Sequence, residues 1–244
     1  MVRALILNSG MGKRMGDLSS EHPKCMTKIK DNETILSRQL RFLKQCEITE
    51  IVITTGRFEQ ILVKYCRSLD LSLNYTFINN PVYDKTNYIY SIYLAREHLN
   101  DDILLMHGDL VFDLRVLQDI LEQNVSCMAV SSTRPLPLKD FKAVIEGGLI
   151  KKIGVEFFDN ALTAQPLYKI NNDDWNLWLD SIIAYCEAGQ VSCYAENAFN
   201  EISDWCHLYP LDYKDRLCAE IDTPEDLYFI QKMISAENIK GDLS

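Results

Sequence analysis

The stretch ALILNSGMGKRMGDLSSEHPKCMTKI, residues 4–29, decides the fold. It opens with a short apolar run, residues 4–7, of the kind a buried strand uses. The run breaks into a loop carrying Gly10, Gly12 and Gly16 with Lys13 and Arg14, and the stretch closes on Pro23-Lys24. Glycine lets the backbone pass close to a ligand, and successive N–H groups can then point at an anion. Cations at 13, 14 and 24 suit an anion of high charge. The loop reads as a triphosphate cradle of Leu7, Asn8, Ser9, Gly10, Met11, Gly12 and Lys13, with Arg14 and Lys24 as its charged arms.

Two other phosphate loops fit badly. A P-loop puts four residues between its glycines and follows Gly-Lys with Ser or Thr. Here Met11 alone separates Gly10 from Gly12, and Arg14 follows Lys13. The dinucleotide fingerprint needs Gly-x-Gly-x-x-Gly and an acidic residue ending the next strand. Gly16 comes one residue late, and the next strand, 51–55, ends in Thr54-Thr55. A plain strand-to-helix turn leaves Arg14 and Lys24, on either side of a polar linker, unexplained.

The 244 residues, 47% hydrophobic, suffice for one large domain with a real core. The net charge of −10 argues against a nucleic-acid binder, which needs a basic footprint. Cations gathered in residues 13–30 look instead like a local anion site. No apolar run reaches membrane-span length and no signal peptide is evident, so a cytoplasmic protein is expected. The eight cysteines form no Cys-x-x-Cys pair, which disfavours a zinc ribbon and suits reduced, partly buried thiols. Cys206-His207 has no second cluster near it in sequence and reads as structural.

Along the chain, helical and strand patterns alternate. Thr34 precedes a helix bearing Leu36, Leu40 and Leu43, and strand 51–55 follows. A helix over 58–69, a strand at 75–78, a helix over 88–98, an apolar strand over 103–112, a helix over 114–121 and a strand at 127–131 come next. This order predicts a mostly parallel sheet with helices on both faces, binding ligand at the carboxyl end of its first strand. Residues 143–146 and 149–155 around Gly147-Gly148 read as a hairpin, an antiparallel excursion suited to the acceptor side. Strands at 165–170 and 205–209, a long helix through 186 and a helix over 196–202 follow. A short strand then ends at Asp222; Thr223 and Pro224 start the last helix, expected to end near 236 before a loose polar tail.

Leu-x-x-Gly-x-Gly-x-Arg followed by Pro-Lys resembles the signature loop of the sugar-phosphate nucleotidyltransferase superfamily. The likeness is greatest to its phosphocholine and small-phosphonate cytidylyltransferase branch, and it departs at Asn8-Ser9 and at Met15-Gly16-Asp17. It implies a Rossmann-like, GT-A-like α/β fold in one domain: a nucleotide half over 1–135, an acceptor part over 136–215 and a closing motif over 216–244. In the segment Asn80-Pro…Thr86-Asn87…Ser91 it implies contacts to base and ribose; Thr86 or Asn87 could equally be an ordinary helix cap. Thr55 and Gly108 join the implied nucleotide contacts.

Gly108-Asp109 interrupts an apolar run with a carboxylate, costly to bury without a cation. The resemblance makes Asp109 one Mg²⁺ ligand and Asp222, in Glu-Ile-Asp-Thr-Pro-Glu-Asp-Leu, the other. His107 reads as a neighbour, because Mg²⁺ prefers oxygen. The implied reaction joins a nucleotide, most simply from CTP, to a small phosphate or phosphonate acceptor. Lys142, Tyr168 and Lys169 are its expected acceptor contacts, with Lys151 and Lys152 as further candidates. A quaternary ammonium head would want an aromatic cage, for which Tyr83, Tyr88, Tyr90, Tyr168, Trp175, Trp178 and Trp205 are available. Sugar 1-phosphate uridylyl or thymidylyl transfer, and non-catalytic nucleotide sensing, are the alternatives. A homodimer is compatible with each.

Overall fold

The computed structural model describes residues 1–241. Strand β1 (Val2–Leu7) runs into the glycine loop, and the ribbon β2 (Lys28–Lys30) and β3 (Glu33–Thr34) leads to helix α1 (Ile35–Gln45). Thr34 caps α1, its hydroxyl accepting from Ser37 N at 3.0 Å. There follow β4 (Glu50–Thr55), α2 (Glu59–Ser68), β5 (Asn74–Asn79), α3 (Tyr88–Ala95), β6 (Asp102–His107), β7 (Leu110–Phe112), α4 (Leu114–Leu121) and β8 (Cys127–Ser131). The second half holds the hairpin β9 (Lys142–Glu146) and β10 (Leu149–Gly154), then β11 (Ala161–Ile170), α5 (Asn172–Glu187), α6 (Ala195–Ile202), β12 (Tyr209–Asp212), β13 (Cys218–Glu220) and α7 (Pro224–Gly241).

One nine-stranded mixed sheet spans both halves. Strands β5, β4, β1 and β6 lie parallel, and β11 runs antiparallel to β6. From β11 the sheet continues to the β9–β10 hairpin and to β8, which carries β12 in parallel. Alternation along β1 sends Leu5 and Leu7 to one face and Ala4 and Ile6 to the other, as the two-residue period of a strand requires. Helices α3, α5 and α6 cover the first face through Ile92, Trp178 and Phe199. Helices α1, α2 and α4 cover the second through Leu40, Leu62 and Leu117.

Three expectations need correction. The run over 103–112 is two strands: β6 stops at His107, and β7 leaves the main sheet to pair with β13. The strand expected at 205–209 begins at Tyr209, because residues 203–207 close the turn after α6 and leave Trp205 exposed. The last helix passes 236 and reaches Gly241, and residues 242–244 of the expected tail lie outside the described residues.

Candidate active site

The site lies where β1 and β6 end. Backbone pairing of β7 with β13 sets Leu110 opposite Glu220, and Ile221 N donates to Asp109 O at 3.0 Å. This pairing brings Asp109 and Asp222 to one place. Lys24 Nζ stands between them and donates at 2.6 Å to Asp109 Oδ2 and at 2.6 Å to Asp222 Oδ1. Arg14 Nη2 lies 2.9 Å from the same Asp222 oxygen. Two distant carboxylates and the two cations of the loop thus form one cluster.

Burial alone would lower the Lys24 pKa, but the charges of Asp109 and Asp222 outweigh it and raise it. Burial also opposes ionisation of Asp109, yet Lys24 and then His107 hold its carboxyl below the usual carboxylate range. His107 Nδ1 lies 2.9 Å from Glu220 Oε1. Burial would depress the imidazole; its hydrogen bond to Glu220 and the charge of that carboxylate lift it to about 8. Glu220 moves up in turn, through burial and then the nearby charge of Asp109.

The loop itself is tightly held. Gly12 takes φ +61, a left-handed conformation that favours glycine, and its carbonyl accepts from Ser19 Oγ at 2.9 Å. Asn8 N donates to Thr54 Oγ1 at 3.1 Å. At Gly108 a Cβ would lie 1.7 Å from Asn8 Oδ1, so any side chain there displaces Asn8. A cleft of about 390 Å³ opens above the cluster, lined by the loop from Gly10 to Arg14, by Asn87, Tyr88, His107 and Asp109, and by Lys139, Phe141, Tyr194, Glu220 and Asp222.

Asp109 Oδ1 is buried without a hydrogen-bond partner, and Asp222 faces Asp109 across one ammonium group. Converging carboxylate oxygens of this kind suit Mg²⁺. Among the described residues, His107, Asp109 and Glu220 each bring one ligand atom within 4.8 Å of the others.

Residues 4–205 match the MobA-like NTP transferase domain. The chain belongs to this family. It is 33% identical over 135 residues, 55% of its own length, to the CMP-5'-(3-aminopropyl)phosphonate synthase of Streptomyces rubellomurinus, but covers 21% of that protein. It is 29% identical to the CTP:phosphoglutamine cytidylyltransferase of Campylobacter jejuni, over 49% of this chain and 48% of that one. The chain therefore spans less than half the length of these two relatives. The structure of the CTP:phosphocholine cytidylyltransferase of Streptococcus pneumoniae superposes with a TM-score of 0.76 at 17% identity, covering 96% of this chain and 99% of that one, which bears on the fold.

Of the residues expected to hold nucleotide or metal, Leu7, Asn8, Gly10 to Arg14, Lys24, Asn87, Gly108, Asp109 and Asp222 line the cleft. Asn87 serves two readings at once, since it lines the cleft while its side chain accepts from Tyr88 N at 2.8 Å. Ser9, Asn80, Thr86 and Ser91, expected as nucleotide contacts, do not line the cleft and bond to one another instead. Ser9 and Ser91 hydroxyls meet at 2.7 Å, and Asn80 Nδ2 donates to Ser91 and Thr86 at 3.0 Å each. Thr55 is buried and turns to Ile78 O.

The acceptor residues are the clear correction. Lys142 is buried and donates hydrogen bonds to the carbonyls of Pro137 and Asp140. Lys169 donates to Gln123 O, Tyr168 to Glu196, and Lys151 to Asp204, while Lys152 lies over the Phe157 ring. None of these five lines the cleft. Of the proposed cage aromatics only Tyr88 does; Trp175 and Trp178 are core. Sequence reasoning missed Phe141, Tyr194, Lys139 and Glu220. Only Glu220 left a signal: it stands two residues before Asp222, at the strand period that places both on one side.

Proposed function

We propose that this protein transfers a cytidylyl group from CTP to a small phosphate- or phosphonate-bearing acceptor and releases pyrophosphate. The observation that carries the reading is Lys24 joined at 2.6 Å to both Asp109 and Asp222 beside a glycine loop with two further cations. The choice of CTP and of a small acceptor rests on the relatives, named for cytidylyl transfer to phosphoglutamine and for making a CMP-linked aminopropylphosphonate.

An acceptor phosphate oxygen is already anionic, so the protein need supply no nucleophile. That oxygen attacks the α-phosphorus in line, a new P–O bond forms, and the bond to the β-phosphate oxygen breaks. What remains for the chain is alignment and charge. The backbone of residues 9–13 cradles the triphosphate. Lys24 and Arg14 offset charge on it, and the two carboxylates hold Lys24 in position. Asp109 and Asp222 would also hold Mg²⁺, which when bound supplies positive charge against triphosphate oxygens.

Pyrophosphate release from CTP, with phosphocholine or 2-aminoethylphosphonate as acceptor, tests the reading. Asp109→Ala and Asp222→Ala should each lower the rate by about a hundredfold or more, the scale of losing a transition-state electrostatic contact. Their circular dichroism should stay native. Full activity in either variant removes the reading.

A further inference from the structure

We infer that Glu196, a buried carboxylate of α6 outside the cleft, is a positioning residue that sets the acceptor wall through Tyr88; this rests on the proposed function. Glu196 is 1% exposed. Its two oxygens are taken by two phenols: Oε2 accepts from Tyr88 OH and Oε1 from Tyr168 OH at 2.7 Å. The two donors differ in kind. Tyr168 is wholly buried on β11, whereas Tyr88 opens α3 and lines the cleft.

Tyr88 also belongs to a closed circuit of four rings. Its centroid lies 4.7 Å from that of His107 and 5.9 Å from that of Tyr194. Phe141 completes the circuit, 5.1 Å from Tyr194 and 6.4 Å from His107. All four line the cleft, and Phe141 and Tyr194 come from beyond residue 135, the part expected to bind the acceptor. Tyr88 thus joins the acceptor wall to His107, the neighbour of Gly108-Asp109. Burial and then the Glu196 carboxylate hold both phenols well above their ordinary pKa, so both remain donors. A hydrogen bond to a charged group is worth more than a neutral one, and a ring free to rotate would no longer present one fixed face.

The test is steady-state kinetics of pyrophosphate release on the full chain, varying CTP and the acceptor separately. Glu196→Ala and Tyr88→Phe should each raise the acceptor KM about tenfold, the scale of one charge-assisted hydrogen bond, with the KM for CTP within about twofold of the unaltered protein. Glu196→Gln, whose amide can still meet both phenols, should recover part of the Glu196→Ala loss. Tyr168→Phe removes the bond on the side away from the cleft and controls for destabilisation. It should lower Tm as Tyr88→Phe does, yet leave the acceptor KM within about twofold. An unchanged acceptor KM in Glu196→Ala, an equal rise in Tyr168→Phe, or a rise confined to CTP overturns the inference while leaving the cytidylyltransferase reading intact. Absence of turnover by the unaltered protein with every acceptor overturns both.

Discussion

His107 and Glu220 hold a proton that the unfolded chain would release. The imidazole sits at about 8 against an ordinary 6.5, because the bond to Glu220 more than offsets burial, and Glu220 is raised as well. A group whose pKa is raised by folding stabilises the native state below its unfolded pKa and loses that contribution as pH climbs through the folded one. Stability of the metal-free protein should therefore fall between pH about 6.5 and 8, by on the order of 2 kcal/mol from His107. Urea denaturation in EDTA at stepped pH checks this, and His107→Gln should flatten that part of the profile. A slope unchanged by His107→Gln would mean that another group carries it. Lys24 acts in the same sense, since it offsets two carboxylates that face each other and its pKa is raised by them. Lys24→Met should abolish pyrophosphate release and also destabilise the protein by about 3 kcal/mol, the scale of leaving buried charge uncompensated.

The elements that make the site are short. Strands β7 and β13 have three residues each, and their pairing alone carries Asp109 to the closing motif. The corner after β13 is held by the first turn of α7. Asp226 Oδ2 accepts from Asp222 N, Thr223 N and Thr223 Oγ1, and Asp226 N donates back to Thr223 Oγ1. Asp226→Ala should lower stability by about 1 kcal/mol, as a lost helix cap does, and reduce turnover more than that loss explains, because the Asp222 backbone is freed. Retained turnover at a lowered Tm would confine Asp226 to capping. This corner was legible in Thr223-Pro224-Glu225-Asp226, whose residue types favour a helix start. The alternation of elements and the glycine loop were legible for the same reason: local pattern dictates them. That β7 leaves the main sheet after Gly108-Asp109 was not, because both parts of 103–112 are apolar whichever sheet each joins. The far wall of the cleft was illegible too. Phe141 and Tyr194 become neighbours only through the fold, and Lys142 and Lys169 show in sequence their charge but not their burial.

Across the whole molecule the cleft draws on both parts of the sheet. The glycine loop follows β1 of the parallel half, whereas Phe141, Val155 and Tyr194 come from segments beyond residue 135. If each half binds one substrate, with Tyr88 reaching across to the far wall, kinetic effects should segregate with the wall altered. Gly108→Ala pushes the Asn8 side chain out of place and belongs to the nucleotide half. It should raise the KM for CTP while sparing that of the acceptor. Phe141→Ala and Tyr194→Ala remove apolar wall and should do the reverse, by about tenfold each on the scale of one buried ring face. A matrix of CTP, UTP, GTP and dTTP against phosphocholine, 2-aminoethylphosphonate and glucose 1-phosphate, run on all three variants, measures this directly. The unaltered protein should favour CTP, and wall variants should change the ranking of acceptors without changing that of nucleotides. A wall variant that alters nucleotide preference would show that the base reaches Phe141 or Tyr194, and the two-half division would then be wrong.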